Sequence, residues 1–173
     1  MLFGDKSEFA VEMNVEDIFD GWVLGTYRFW VRGVSIGDDV DHSVDLKGCW
    51  NWMRDVMAHP KQRYEPGLYE MDRRQVYLRL ATSALPNQNP SGFSKELYED
   101  TYSRFHISHV GMSSFDRVTV LFLKSRDGLE RLVWQEGAGD VQDAHLGENQ
   151  LEAVFWEAVA SLEGTMLAAG DKA

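Results

Sequence analysis

Two runs of alternating apolar and polar residues near the N-terminus constrain the fold of this chain more than any other feature. Residues 8–14 place an apolar side chain at every second position, as a half-buried strand does. Residues 22–32 alternate in the same way, and an Asp20-Gly21 pair suited to a turn stands before them, at the end of a connecting segment. The pattern predicts an N-terminal β-hairpin with one face of each strand turned towards a core.

The second strand of this hairpin has two different faces. The side chains predicted to face the core are Val23, Tyr27, Phe29 and Val31. On the other face, we expect Arg28 and Arg32 to form ion pairs with Glu8 and Glu12 of the first strand. Trp30 shares this outer face, where it is either an exposed anchor for a partner or a side chain covered by a helix.

Two segments have the three-to-four-residue spacing of amphipathic helices. In residues 46–59 one stripe contains Leu46, Cys49, Trp50, Met53, Val56 and Met57. In residues 147–164 one stripe contains Leu151, Val154, Phe155, Ala158, Val159 and Leu162. Ser43 or Asp45 is placed to cap the first helix and Gly164 to end the second, while Glu148 and Glu152 are spaced as helical neighbours near its start.

The rest of the chain indicates a second β region. The segments predicted as strands are residues 104–112, 118–123 and 129–136, with residues 141–146 as an edge strand. Between Val76 and Leu80 the pattern fits a strand or a helix equally well. The fold class predicted for residues 1–173, taken as a single domain, is α+β: a mainly antiparallel sheet with an N-terminal hairpin, a three-to-four-strand C-terminal meander, and helices packed on it.

The charge of the chain argues against two classes of partner. It carries 28 Asp and Glu against 17 Lys and Arg, a net charge of −11, which disfavours nucleic acid and anionic membranes. The acidity is concentrated in residues 1–60, with a net charge of −6, and residues 126–173, with −7. Such ends would attract a basic partner, although acidity also serves solubility alone. A single cysteine and an N-terminus without a basic, apolar leader predict a cytoplasmic protein.

The sequence contains no motif for catalysis or for binding a metal ion or cofactor. His106 and His109 stand three residues apart, which on a strand directs the two imidazoles to opposite faces. Cys49 lies in the apolar helix stripe and has no base near it in sequence. We therefore expect no catalytic residue, no metal ion and no cofactor.

Carboxylates remain as candidates for a functional surface. A cluster of three follows the second strand, without the glycine and the distal glutamate of a calcium loop, and it is either a solvated turn or a recognition surface. Further carboxylates mark the last third of the chain. The residues expected to contact a partner are Trp30, Asp38, Asp39, Asp41, Asp140, Asp143 and Glu148.

Several segments together resemble one family. The opening "MLFGDKSEFAVEMNV", then "GWVLGTYRFWVRGVSIGD", "LKGCWNWMRD" and "RFHISHVGMSSFDR" with "RLVWQ" downstream are similar to the immunity protein 42 family of bacterial polymorphic toxin systems. The resemblance extends over most of the chain and is weakest in residues 60–100. It implies a small cytoplasmic protein without enzymatic activity that neutralises a cognate toxin by occluding its active site or substrate path. A toxin with a basic active-site surface would suit the acidic ends.

Two other classes of function stay open on the residues alone. Arg104, His106, Asp116 and Arg117 would line the pocket of a small-ligand-binding or enzymatic α+β domain. A sheet edge would instead accept a strand from a peptide or a structural partner.

Overall fold

The computed structural model describes residues 1–38, 40–81, 102–108 and 113–170. The chain forms two compact units: unit 1 comprises Met1–Ala58, His109–Arg117 and Asn149–Ala173, and unit 2 comprises His59–Ser108 and Val118–Glu148. Both units combine antiparallel strands with α-helix, which confirms the predicted α+β class. The assignment of residues 1–173 to a single domain stays a prediction.

The described residues contain eight strands and three α-helices. The strands are β1 (Leu2–Gly4), β2 (Phe9–Phe19), β3 (Trp22–Val31), β4 (Val34–Ile36), β5 (Val44–Asp45), β6 (Val118–Lys124), β7 (Leu129–Glu136) and β8 (Gln142–Glu148). The helices are α1 (Leu46–Ala58), α2 (Arg73–Ala81) and α3 (Gln150–Gly170). Within the described parts of the chain, none of these helices is both long and apolar enough to cross a membrane.

Unit 1 is built on the predicted hairpin, which the structure confirms as β2 and β3. The sheet order is β1-β2-β3-β4, and β5 pairs with β3 beside Leu24 and Gly25. The predicted connection before Asp20 is wrong, because β2 continues to Phe19 and only Asp20 and Gly21 form the turn. Both turn residues have positive φ, 53° and 81°, as a two-residue type I′ turn requires.

The core of unit 1 lies between one face of the hairpin and the helices α1 and α3. All four core residues predicted on β3 are buried, as is the whole predicted stripe of α3. On α1 the predicted stripe is buried except for Trp50, which is half-buried. The ring of Phe155 lies 6.1 Å from Phe9, 6.0 Å from Phe29 and 6.4 Å from Trp52, measured between centroids. These contacts attach α3 to both the sheet and α1.

Local hydrogen bonds explain where the helices begin. Asp45 caps α1, because its carboxylate accepts the backbone N–H of Lys47 at 3.0 Å. The ends differ from the prediction in two respects: α3 continues through Gly164 to Gly170, and Glu148 belongs to β8 instead of the helix. Glu148 and Glu152 are therefore not helical neighbours.

Unit 2 is a three-stranded antiparallel meander, β6-β7-β8, with α2 packed on it. Its core consists of Leu68, Val76, Leu80, Phe105, Leu121, Leu123, Val133 and Val141. The segment that fitted strand or helix is the helix α2, in which Val76 and Leu80 are buried one turn apart while Leu78 is 58% exposed. Asp72 caps it by accepting the N–H of Arg74 at 2.9 Å.

The predicted strand at residues 104–112 is wrong over residues 104–108, the part of it that the structure describes. Tyr102–Phe105 forms a 3₁₀ turn, and within residues 102–108 only His106 makes a β-bridge, antiparallel to Leu121. The Ile107 N–H still donates to the Val120 carbonyl at 2.9 Å, but the Val120 N–H then donates to the Ser108 hydroxyl, at 2.9 Å, instead of a backbone carbonyl. The predicted edge strand is confirmed as β8 and takes the third place in the sheet. The loop at residues 86–92, the short helix proposed after it, and His109 lie outside the described residues.

Candidate functional site

The acidic turn, residues 37–43 of unit 1, is held in place by a short segment, residues 113–115. The N–H of Asp38 donates to the Ser114 carbonyl at 2.7 Å, and the Ser113 hydroxyl donates to Asp41. This segment is itself anchored by Phe115, whose ring lies 5.0 Å from that of Phe29 in the core. The turn is therefore a supported part of unit 1, held through the backbone of Asp38 and through the side chain of Asp41.

The two described carboxylates of this turn differ in their freedom. Asp41 also accepts the N–H and hydroxyl of Ser43, at 2.9 and 2.6 Å, and the hydrogen bonds from Ser113 and Ser43 lower its pKa. Asp38 is exposed, and within the described parts of the chain its carboxylate accepts only the N–H of Val40, at 2.8 Å. Asp39 lies outside the described residues. The Asp41 carboxylate is thus occupied by hydrogen bonds that shape the loop, whereas the Asp38 carboxylate is exposed to solvent.

Trp30 belongs to a cluster of charged side chains on the outer face of the hairpin. Its indole N–H donates to Glu12 at 2.7 Å, and Lys6 Nζ stands 4.1 Å from its ring centroid. Glu12 also pairs with Arg28 at 2.9 Å, as predicted, and Arg32 pairs with Glu8 at 2.7 Å.

The Glu12 carboxylate is the shared hydrogen-bond acceptor of this cluster. Burial raises its pKa, but the hydrogen bonds from Trp30 and Lys6, with the charge of Arg28, outweigh burial and hold the pKa below its usual value. Trp30 is half-buried and lies on the face of the hairpin opposite to the helices. It is thus a bound member of an ion-pair cluster, with its indole N–H already occupied.

The acids expected from the last third of the chain lie in unit 2, and two of them face arginines of the same unit. Asp143 accepts two hydrogen bonds from Arg131, at 2.7 and 3.1 Å, and lies 3.4 Å from Arg73. Asp140 pairs with Arg74 at 3.0 Å, with both side chains exposed. Glu148 is exposed at the end of β8. Two of the three carboxylates expected here as partner contacts are therefore already paired with arginines within unit 2.

The residues of the alternative pocket divide between the two units. Arg104 pairs with Glu65 at 2.8 Å and lies over the ring of Phe105, while His106 bridges to β6. These two residues belong to unit 2, whereas Asp116 and Arg117 belong to unit 1. Among the described residues, no three His, Cys, Asp or Glu side chains are grouped so that they could hold a metal ion.

His106 gives the chain a specific dependence of stability on pH. Burial lowers its pKa to about 4, whereas an unfolded histidine titrates near 6.5. The unfolded state therefore binds the proton first, so stability is complete above pH 6.5 and is lost as the pH falls towards 4. At pH 5 we expect a loss of about 2 kcal/mol from this group.

Urea unfolding of the wild type and of His106→Gln at pH 7 and pH 5 measures this contribution. The difference between the two proteins should be about 2 kcal/mol smaller at pH 5 than at pH 7, because glutamine does not titrate. Parallel pH dependences of the two proteins would contradict the lowered pKa.

The tip of the hairpin, residues 16–22, exposes apolar side chains that the sequence pattern did not single out. The exposed fractions are 40% for Ile18, 50% for Phe19 and 52% for Trp22. The available signal was the Asp20-Gly21 pair, because a two-residue turn places the residues on either side of it directly opposite each other. If the first strand extends to residue 19, the two-residue turn makes Phe19 and Trp22 a cross-strand pair.

The comparisons with known proteins assign the chain to a class and then to a family. A family model that describes immunity proteins matches residues 1–160. The chain belongs to this family, Immunity protein 42, as its segments suggested. A crystal structure of CdiI from Burkholderia dolosa AUO158 has a similar fold, with a TM-score of 0.72 and 13% sequence identity over 93% of this chain and 99% of that chain. No curated protein has a significantly similar sequence.

Proposed function

We propose that this chain binds a cognate bacterial toxin in the cytoplasm and neutralises it by covering the active site or substrate path, without catalysis of its own. The observation that carries the proposal is the match of the Immunity protein 42 family over residues 1–160. The similar fold of CdiI over nearly the whole chain supports it. The net charge of −11 favours a toxin with a basic surface, and disfavours nucleic acid or an anionic membrane as the direct partner.

Expression in a sensitive host tests this function. The product of the gene adjacent to this one is expressed alone and together with this chain, and growth and binding of the purified proteins are measured. We expect the neighbour to stop growth, and this chain to bind it and restore growth. A harmless neighbour, or a toxic one that this chain neither binds nor counteracts, would refute the proposal.

We further propose that the toxin-binding surface includes the acidic turn. Asp38 is exposed and, among the residues that the structure describes, accepts a hydrogen bond only from Val40, so we take its charge to be available to a partner. The turn is also fixed in position by Ser113, Ser114 and Phe115, which lie in the segment "RFHISHVGMSSFDR" that resembles the family. A preformed backbone lowers the entropy cost of binding through such a turn. Four further residues stay proposed contacts: Trp30, Asp140, Asp143 and Glu148. Of these, Asp140 and Asp143 are already paired with arginines.

Asp38→Asn combined with Asp39→Asn is expected to slow association with the toxin about threefold or more at low salt, and to weaken its dependence on salt. The reason is loss of long-range attraction, so the dissociation rate should change less. The matched control is Glu157→Gln with Glu163→Gln on the exposed face of α3, which removes the same charge elsewhere in unit 1. Stopped-flow or surface-based kinetics at two salt concentrations measure both variants. Equal association rates for the two would remove the turn from the interface.

A further inference from the structure

The hairpin tip places two aromatic side chains side by side at the surface of unit 1. Phe19 and Trp22 are direct cross-strand partners and flank the two-residue turn. Each is about half exposed, although both are large apolar residues for which burial is favourable. Contiguous exposed apolar surface of this kind marks sites of protein association more often than chance. The tip therefore requires an explanation that the fold of unit 1 does not supply.

A β-bulge determines which way these side chains point. The register of β2 against β3 shifts between Val15 and Asp17, so that Glu16 is the additional residue. Without the shift, simple alternation would place Phe19 on the same face as Val15, towards the helices. With it, Phe19 joins Trp22 on the outer face, and bulges commonly redirect side chains in this manner.

The backbone of the tip also has a well-defined turn conformation. Asp20 and Gly21 adopt the positive φ values of a type I′ turn, and Lys47 Nζ lies 3.5 Å from the Gly21 carbonyl. Two aromatic rings on a short, well-defined hairpin lose little conformational entropy when they enter a partner. This arrangement is typical of an interface anchor.

The charge around the rings identifies the kind of partner. Residues 16–22 contain three carboxylates and no Lys or Arg. Of these, Glu16 is 2.5 Å from His42 Nδ1, whereas Asp17 and Asp20 have no ion pair with any residue that the structure describes. The contact between Glu16 and His42 joins the tip to the acidic turn as one continuous surface of unit 1. A complementary partner presents an apolar depression bordered by lysine or arginine.

We propose that the hairpin tip is the anchor that inserts Phe19 and Trp22 into a basic-rimmed apolar depression on the cognate toxin. This inference rests on the proposed function and adds the contact residues and the chemistry of the opposing surface. Aromatic anchors at the centre of an interface govern how slowly a complex dissociates, whereas surrounding charges govern how fast it forms. Loss of the aromatic side chains should therefore mainly speed dissociation, whereas loss of the carboxylate charge should mainly slow association.

The experiment measures binding of full-length variants to an inactive form of the toxin encoded next to this chain. Phe19→Ala with Trp22→Ala is expected to weaken binding about 30-fold or more, mainly through faster dissociation. Asp17→Lys is expected to slow association with less effect on dissociation. The control, Trp156→Ala with Leu167→Ala, removes one tryptophan and one other apolar side chain, which are 56% and 67% exposed on α3, and should change affinity less than twofold.

The outcomes distinguish this inference from the proposed function. If the wild type binds the toxin and the folded tip variant binds equally well, the anchor is wrong and the toxin-neutralising function stands. If the tip variant changes only self-association of this chain, the tip is a contact between copies and the inference is likewise wrong. If the wild type does not bind or protect, the proposed function fails together with the anchor. Circular dichroism and thermal unfolding establish that each variant is folded. Asp17→Lys provides a second test of the tip, because Asp17 is exposed and its replacement should not disturb the fold.

Discussion

Arg131→Met is expected to lower the free energy of unfolding by about 3–5 kcal/mol, because it removes one partner of a buried ion pair. Arg131 is 4% exposed, and besides its two hydrogen bonds to Asp143 it donates to the carbonyls of Tyr69 and Met71 at 2.7 Å each. Methionine fills similar space but leaves the carboxylate and both carbonyls without these donors. The loss is measured by urea unfolding at pH 7.

Arg74→Met is the matched control for this change. It removes the same charge from unit 2, but its pair with Asp140 is exposed on both sides and should contribute less than about 1 kcal/mol. Equal effects of the two substitutions would show that the Arg131 network contributes no more than a surface pair.

Phe155→Ala is expected to cost about 3–5 kcal/mol in the free energy of unfolding. The side chain is fully buried, and its ring meets Phe9 and Phe29 of the sheet and Trp52 of α1. Its removal leaves a cavity at the point where α3 joins the other elements of unit 1. Thermal or urea unfolding monitored by circular dichroism measures the effect.

The neighbouring residue provides the control for this cavity. Trp156 is 56% exposed, and Trp156→Ala should change stability by less than about 0.5 kcal/mol although it removes a larger ring. A small effect of Phe155→Ala would contradict the packing described for α3, and a large effect of Trp156→Ala would indicate a contact that its exposure does not suggest.

The parts of the fold with regular periodicity were predictable from the sequence. Strict alternation identified most of β2 and β3, and the spacing of apolar residues identified the buried stripes of α1 and α3. These signals depend only on which residues face a core, so local sequence is sufficient. The prediction failed where a tertiary contact decides the structure. The bulge at Glu16 interrupts the alternation, so β2 was ended too early, and the Ser108 hydroxyl replaces a backbone carbonyl in a pairing that alternation would have continued.

The candidate surface was predictable only in part, for a different reason. A count of carboxylates places negative charge in segments of sequence, but not the arginines that neutralise it. Asp143 pairs with Arg131 of the neighbouring strand β7 and with Arg73 of α2, and neither contact is visible in a local pattern. Likewise, exposure of Phe19 and Trp22 follows from the register of the hairpin. Composition can suggest the sign of a partner's charge, but which side chains are available to contact that partner depends on their exposure in the folded structure.

The outer edge of β2 beyond Asn14 has consequences for how this chain behaves at high concentration. Among the described strands, β1 pairs with β2 only at residues 10–12, and the amino group of Met1 reaches no further than Asn14. A free edge invites a second chain to add a strand, unless charge or an irregular backbone prevents it. Glu16 supplies both a bulge and a charge, and Asp17 adds a second charge. We therefore expect these carboxylates, which are also proposed to attract a toxin, to disfavour aggregation through this edge.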